Sequence, residues 1–349
     1  MQARFLAGRL RRRLAPLLVA AALLAAAPAA SGAEPPWSLA GKQVTLIVYS
    51  SAGGTYDIYA RLLARHMPKH LPGKPVFVVK NMLGAGGIIA ARYLSVSAPK
   101  DGLTIGTIGR GLPFEAMLGS EALDFDPLAF TWIGSMNKES SLALAWHTAA
   151  VKTARDLFQH ELLIASTSAG SDNQLIPAAL NGLIGTRFKI VSGYATMGNA
   201  ELALESGEVE GIGYWAWVAL KSEKPDWLAQ KKVNLLFQTA LTPHPDLPDV
   251  PLATSLAHDE AERQALELLL ARDVLGRPFV APPGLAPERA AVLRAAFDAS
   301  MRDPELLEDA RKIGLEINPA TAAEIEALLR RVQSFPSDVV RRTKAAMNR

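Results

Sequence analysis

Val44-Thr45-Leu46-Ile47-Val48-Tyr49-Ser50-Ser51-Ala52-Gly53-Gly54-Thr55-Tyr56-Asp57-Ile58-Tyr59-Ala60-Arg61-Leu62-Leu63-Ala64-Arg65 is the stretch from which the fold is read. Val44 to Val48 is a short apolar run rich in β-branched residues, the pattern of a buried strand. Ser50 to Gly54 is a loop of minimal bulk. Ile58, Leu62 and Leu63 then recur at helical spacing, with Arg61 and Arg65 on another face. Thr55 is the predicted N-cap, and Asp57 lies in the first turn, where a carboxylate favours the positive helix end. Strand, small-residue loop and helix together present a bare helix N-terminus whose free N–H groups can receive an anion. The loop holds no lysine and no Gly-x-x-x-x-Gly-Lys-Ser/Thr, which excludes a nucleoside triphosphate cradle. The alternative is a tight turn that binds nothing.

Around this unit the chain repeats itself. Val76 to Val79 is a second predicted strand and runs into Asn81 to Gly87, another small-residue loop. Asp101-Gly102 marks a turn, and Leu103 to Ile108 a third strand. Such units predict a parallel sheet with right-handed crossovers. The Gly84 loop does not complete a dinucleotide fingerprint, because Ile89 stands where the third glycine belongs. Gly84 and Gly86 are read instead as a backbone wall facing the first loop. A new series starts at Glu161 to Ala165, passes through Ser166-Thr167-Ser168-Ala169-Gly170-Ser171-Asp172-Asn173, and enters a helix near Gln174. This third loop offers N–H and O–H donors together.

A chain of 349 residues is longer than one core usually holds, which predicts two lobes. The organisation expected is residues 34–140 with 270–349 as one lobe and 141–269 as the other. The crossings are the interrupted apolar pair Thr131–Met136 and Leu142–Trp146, and the segment Asp273–Val280. Helices opening at Pro287, Pro304 and the capping box Thr321-x-x-Glu324 are expected to cover the first lobe. Residues 1–33 read as a cleaved export signal: Arg4, Arg9 and Arg11 to Arg13, then an Ala/Leu-rich run and small residues. The net charge is +3, and that segment holds five arginines and no acid, so the remainder carries about −2. No nucleic-acid partner is expected. With no cysteine, an exported fold here rests on its core rather than on disulfides.

Two other chemistries are weighed. Ser168 sits in Ser-x-Ser-x-Gly, close to a hydrolase nucleophile elbow, with Asp246 and His258 following in triad order; Ser166 replaces the first glycine. His66 and His70 have metal-ligand spacing, but Pro68 breaks the helical face between them. No metal or cofactor is expected. Within Tyr214-Trp215-Ala216-Trp217 the two tryptophans share a face if the segment is a strand, and Gly213 leaves room beside them.

Several motifs in order carry a family resemblance: Val48 to Asp57, Val79 to Gly87, Asp101-Gly102-Leu103-Thr104, Ser168 to Ser171, Gly193-Tyr194, Asp249-Val250-Pro251 and Ala281-Pro282-Pro283-Gly284. In these the chain resembles the solute-binding receptors of tripartite tricarboxylate transporters, the Bug receptor family. The resemblance implies an α/β periplasmic-binding-protein fold of the Venus flytrap type II, with the ligand cleft between two lobes. It implies a periplasmic, non-enzymatic receptor that takes a small organic carboxylate and delivers it to transporter membrane subunits. Docking on a sensor protein and an exported serine hydrolase are the other readings. Ligand contacts are then expected from Ser51, Ala52, Gly53, Gly54, Thr55, Tyr56 and Asp57, and from Thr167, Ser168, Ala169, Gly170 and Ser171. Gly84, Gly86, Tyr194 and Trp215 complete the expected wall, and the receptor is expected to act as a monomer. Departures from the family pattern are Tyr49-Ser50, in place of a Pro-aromatic pair, and Tyr56, in place of a small hydroxyl residue. Since neither loop contains Lys or Arg, the anion is expected to be held by N–H and O–H donors alone, and a side chain at Gly53 is expected to block it.

Overall fold

The computed structural model describes residues 37–119, 123–167 and 171–347. The proposed export signal at 1–33 and Ser168, Ala169 and Gly170 of the third loop lie outside these residues. In chain order the elements are β1 (Gln43–Val48), α1 (Thr55–His66), β2 (Val76–Asn81), α2 (Ile88–Arg92), β3 (Thr104–Thr107), α3 (Leu112–Met117) and β4 (Thr131–Ser135). The chain then moves to β5 (Ser141–Trp146), β6 (Leu162–Ser166), α4 (Asp172–Ile184), β7 (Phe188–Ser192), α5 (Met197–Glu205) and β8 (Gly211–Ala216). Next come α6 (Trp217–Glu223), α7 (Pro225–Ala229), β9 (Val233–Gln238), α8 (Glu260–Leu270) and β10 (Pro278–Ala281). The C-terminal part is α9 (Pro287–Ser300), α10 (Pro304–Lys312), β11 (Ala320–Thr321), α11 (Ala322–Gln333) and α12 (Ser337–Met347).

The strands form two sheets, in the orders β11-β4-β10-β3-β1-β2 and β7-β6-β8-β5-β9. β2, β1 and β3 are parallel, as the repeated strand–loop–helix units predict. The returning strand β10 is antiparallel to both β3 and β4, because the chain re-enters the sheet from the opposite end. β7, β6 and β8 repeat the parallel arrangement, and β5 pairs antiparallel with β8 and β9. Each sheet is therefore mixed rather than wholly parallel. The chain passes from the first sheet to the second between β4 and β5, and back through the 3-10 turn Ala271–Leu275. This is the two-lobed α/β architecture of periplasmic binding proteins. Among the described residues no helix is long and apolar enough to cross a membrane.

Side-chain size sets how closely the layers meet. A Cβ on Gly213 would stand 2.5 Å from Cγ of Pro177 and 2.6 Å from Cδ1 of Ile164. The room that the glycine leaves is thus filled by α4 packing on β8. Trp215 and Trp227 stack edge to face at 6.0 Å on the other side of the second sheet, with Leu204, Ile212 and Leu220. Trp217 does not continue the strand; it opens α6. The last helix departs from the expected assignment of all of residues 270–349 to the first lobe. Val339 and Ala346 of α12 are buried with Leu180 of α4 and Leu269 of α8, in the core behind the second sheet. Hydrophobic residues on α11 (Ile325, Leu329, Val332) do join the first-sheet core around Trp132.

Candidate functional site

Loops that follow the carboxyl ends of β1, β3 and β6 meet at a cleft of about 660 Å³. Open α/β sheets bind ligands at such strand ends. Thr55 and Tyr56 at the start of α1, and Ser171, Asp172 and Asn173 at the start of α4, line the same space. Neither helix carries a side-chain cap bond at its N-cap residue, Gly54 or Ser171. Two helix N-termini with their positive partial charge therefore border one cleft.

Of the expected contacts, Thr55, Tyr56, Gly86, Ser171 and Trp215 line the cleft, and Ser51, Ala52, Gly53, Gly54, Asp57, Gly84, Thr167 and Tyr194 do not. The reasons are local. The N–H of Gly53 donates to Oδ2 of Asp57 at 2.9 Å, and that of Gly54 to the Ser51 carbonyl at 3.1 Å. Both are used within the loop. The φ of Gly53 is +79° and nothing lies within 4 Å of a Cβ placed there, so a side chain at this position strains the backbone but meets no neighbouring atom. Asp57 is 1% exposed and also accepts from Nε of Arg61 at 2.7 Å and Nδ2 of Asn81 at 2.8 Å. Burial opposes its ionisation, but these three partners outweigh it and hold the carboxyl below its usual range. Its work is to brace the first loop. Gly84 takes φ +131° against the Ile89 side chain, and Tyr194 donates from Oη to Glu208 at 2.7 Å.

Among the described residues, the hydroxyls of Ser166, Thr167 and Ser171 in the third loop are also spoken for. Oδ1 of Asn173 accepts from Oγ of Ser166 at 3.1 Å, from Oγ1 of Thr167 at 3.2 Å and from the Thr167 N–H at 3.3 Å. Of the hydroxyl donors expected for a ligand, those of Thr167 and Ser171 are gathered onto this one amide. The remaining triad candidates are engaged elsewhere. Asp246 takes Nε1 of Trp217 at 3.1 Å and Nζ of Lys221, and His258 pairs through Nδ1 with Glu262 at 2.9 Å. His66 and His70 each face a carboxylate, Asp309 at 3.0 Å and Asp303 at 2.8 Å.

The expectation of a cleft without cations fails, because three arginines reach it from outside the two loops. Arg110 follows β3, Arg272 lies in the return turn and Arg277 just before β10; all three line the cleft. They form an alternating row. Arg277 donates from Nη1 to Oε2 of Glu139 at 2.9 Å, and Nη1 of Arg110 lies 3.6 Å from the same oxygen. Nη2 of Arg110 donates to Oδ2 of Asp172 at 2.6 Å, and Nη1 of Arg272 lies 3.5 Å from Oδ1 of Asp172. The guanidinium of Arg277 also faces the ring of Tyr56, 4.8 Å from its centroid. Behind the row, Nη1 of Arg110 sits 3.0 Å from Oδ1 of Asp273, which accepts from the Tyr214 hydroxyl at 2.9 Å.

Asp273 is 1% exposed, and its Oδ2 has no hydrogen-bond partner among the described residues. Burial raises its pKa, Arg110 pulls it back, and Asp172 and Glu139 push it up, leaving it at about 7. Burial likewise drives the Tyr214 phenol well above its ordinary value, so it stays a donor. Sequence reasoning missed these residues because it searched only the glycine loops for charge. The available signals were the position of Arg110 at a strand carboxyl end and the two arginines at the predicted crossing, Arg272 just before it and Arg277 within it.

Three solved structures show the same fold. A TctC solute-binding protein from Polaromonas is 20% identical, covering 88% of this chain and 98% of that one, with a TM-score of 0.68. MatC from Rhodopseudomonas palustris with bound malate is 23% identical over 85% and 98% of the two chains, with a TM-score of 0.54. A further R. palustris protein with adipate is 22% identical over 86% and 97%, with a TM-score of 0.56. Residues 59–334, most of the chain, match the family model described as tripartite tricarboxylate transporter family receptor. With the two-sheet fold and the interlobe cleft, this match places the chain in the tripartite tricarboxylate transporter receptor family of solute-binding proteins.

Proposed function

We propose that the protein is a periplasmic receptor for a small organic carboxylate, which it passes to the membrane subunits of a tripartite transporter, and that it catalyses no reaction. The observation that carries this reading is the cleft bordered by the N-termini of α1 and α4 and floored by Arg110, Arg272 and Arg277. A helix end contributes ~0.3–1 kcal/mol toward an anion, reaching ~2 kcal/mol when partly buried. Hydrogen bonds to a charged group add about 1.5–3 kcal/mol each. A few such contacts reach the roughly −8 kcal/mol of micromolar binding. The bound malate and adipate of two proteins with the same fold agree with a carboxylate ligand.

A thermal-shift screen against mono-, di- and tricarboxylates and aromatic acids tests the reading. Ligand at ~100 times its Kd adds about 2.7 kcal/mol of stability. Turnover of ester or amide substrates, with no carboxylate raising the melting temperature, would overturn it.

A further inference from the structure

Tyr56, which departs from the small hydroxyl residue of the family pattern, is the second residue of α1 and lines the cleft. Its ring is held from two sides. The Arg277 guanidinium lies 4.8 Å from its centroid, and the Tyr49 ring meets it edge to face at 4.6 Å. Arg277 is itself fixed, 5.3 Å from the Tyr59 ring and bonded to Oε2 of Glu139 at 2.9 Å. Tyr56 therefore cannot swing aside without giving up both ring contacts, and it remains half-buried, with its open surface on the cleft wall. Tyr49, the other departure, and Ile88 are half-buried and extend the same wall. Met197, at the start of α5, faces the cleft from the second lobe, with Nδ2 of Asn173 3.2 Å from its Sδ. None of these four side chains offers an anion a charge. They form a surface for the uncharged body of a ligand.

We propose that this body is an arene: the ligand is an aryl carboxylate whose anion sits at the N-terminus of α1 and whose ring packs on Tyr56, with Tyr49, Ile88 and Met197 around it. The inference rests on the proposed carboxylate function and adds the chemistry of the part that carries no charge. An anion received at the start of α1 has its body beside Tyr56, which stands in the same turn. The cleft, at about 660 Å³, is in the range that encloses a drug-sized molecule. Any apolar body gains from leaving water in proportion to its area, so burial alone does not favour a ring. An arene adds the directed contact between aromatic quadrupoles at Tyr56 and a sulfur contact at Met197. A saturated ring of the same carbon count offers the burial without either.

Titration calorimetry on matched pairs decides the matter. The probes are benzoate, phenylacetate and 3-phenylpropionate, each beside its cyclohexyl counterpart. Wild type, Tyr56→Leu and Tyr56→Phe are compared, with circular dichroism to confirm folding. In wild type the best arene is expected to bind ~3–10-fold tighter than its cyclohexyl partner. Tyr56→Leu keeps an apolar side chain without the ring and is expected to bring that ratio to about one. Tyr56→Phe is expected to preserve it. The ratio is the readout, because a disturbance of Arg277 or of the helix start acts on the carboxylate that both probes share. Wild-type arenes that fail to bind, or bind no tighter than their cyclohexyl partners, would overturn the arene, as would an unchanged ratio in folded Tyr56→Leu. Binding of aliphatic carboxylates would then leave the receptor function standing. Failure of folded wild type to bind any carboxylate, aromatic or aliphatic, would remove both.

Discussion

Replacing Arg110 by glutamine separates two effects that the wild-type structure combines. One is loss of the pair with the partly exposed Asp172, whose size does not depend on pH above the carboxylate range. The other acts through Asp273, which lies 3.0 Å from the guanidinium and is 1% exposed. In wild type the folded pKa of Asp273 is about 7, against 3.8 when unfolded, so the native state binds the extra proton. Stability from this group is fully present below about pH 4 and lost as pH rises to about 7. Without Arg110 the folded pKa rises further, and the loss continues above pH 7 at ~1.36 kcal/mol per pH unit. The variant should therefore fall behind wild type by up to ~2.7 kcal/mol more at pH 9 than at pH 6. Unfolding entropy of ~2.1 cal/mol/K per residue over the folded unit converts this to ~4 °C of melting temperature. Melting curves of both ligand-free proteins at pH 6, 7.5 and 9 are the assay. A difference between the two proteins that stays constant across that range would show that Arg110 does not stabilise the Asp273 carboxylate, and the electrostatic account of the cleft floor would fall.

Gly213→Val should lower stability by about 1–3 kcal/mol through overpacking against Pro177 and Ile164, read as a lower denaturant midpoint at unchanged m-value. Gly53→Ala should cost ~1–2 kcal/mol from its positive φ and still bind carboxylate within a fewfold of wild type by calorimetry; complete loss of binding would return Gly53 to the ligand's surroundings. Asp303 is buried, which raises its pKa, but Lys69 and His70 more than offset this and bring it to about 2. Asp303→Asn should thus cost ~1–2 kcal/mol at pH 7, allowing for screening by nearby solvent, and about half as much at pH 3, since this stability is present above about pH 4 and lost toward pH 2. A gap in urea midpoints that is the same at both pH values would refute that assignment. The mature periplasmic chain should begin near Glu34, which intact-mass spectrometry of an osmotic-shock fraction reads directly.

Elements with a strong local pattern are legible in the amino-acid sequence alone. The β-branched run at Val44–Val48 and the helical spacing of Leu62 and Leu63 correspond to β1 and α1, found at Gln43–Val48 and Thr55–His66. Of the loop glycines expected at the ligand, Gly86 lines the cleft, whereas Gly53, Gly54 and Gly84 do not. What the sequence hides is how a loop spends its donors. Nothing in Gly53-Gly54-Thr55-Tyr56-Asp57 says that Asp57 folds back onto the Gly53 N–H, nor does Ser171-Asp172-Asn173 say that Asn173 collects the neighbouring hydroxyls. Those are three-dimensional competitions between near-equal hydrogen bonds. The arginines are hidden for another reason: Arg110 and Arg272 are 162 positions apart, and only the two crossings between lobes bring them to one aspartate. The place of α12 behind the second sheet is likewise set by long-range burial of Val339 and Ala346, not by the helix's own pattern.

The alternating row across the cleft floor also bears on how fast a ligand arrives. Opposite charges spaced at hydrogen-bond distance cancel one another when viewed from beyond the ~8 Å screening length of physiological salt. The cleft therefore projects little field into solution, and anions are not drawn in from afar as they are to a single-signed funnel. Encounter should proceed at an ordinary diffusive rate that changes little with ionic strength. Discrimination falls to dwell time, because a passing anion meets the guanidinium groups individually only once it is inside.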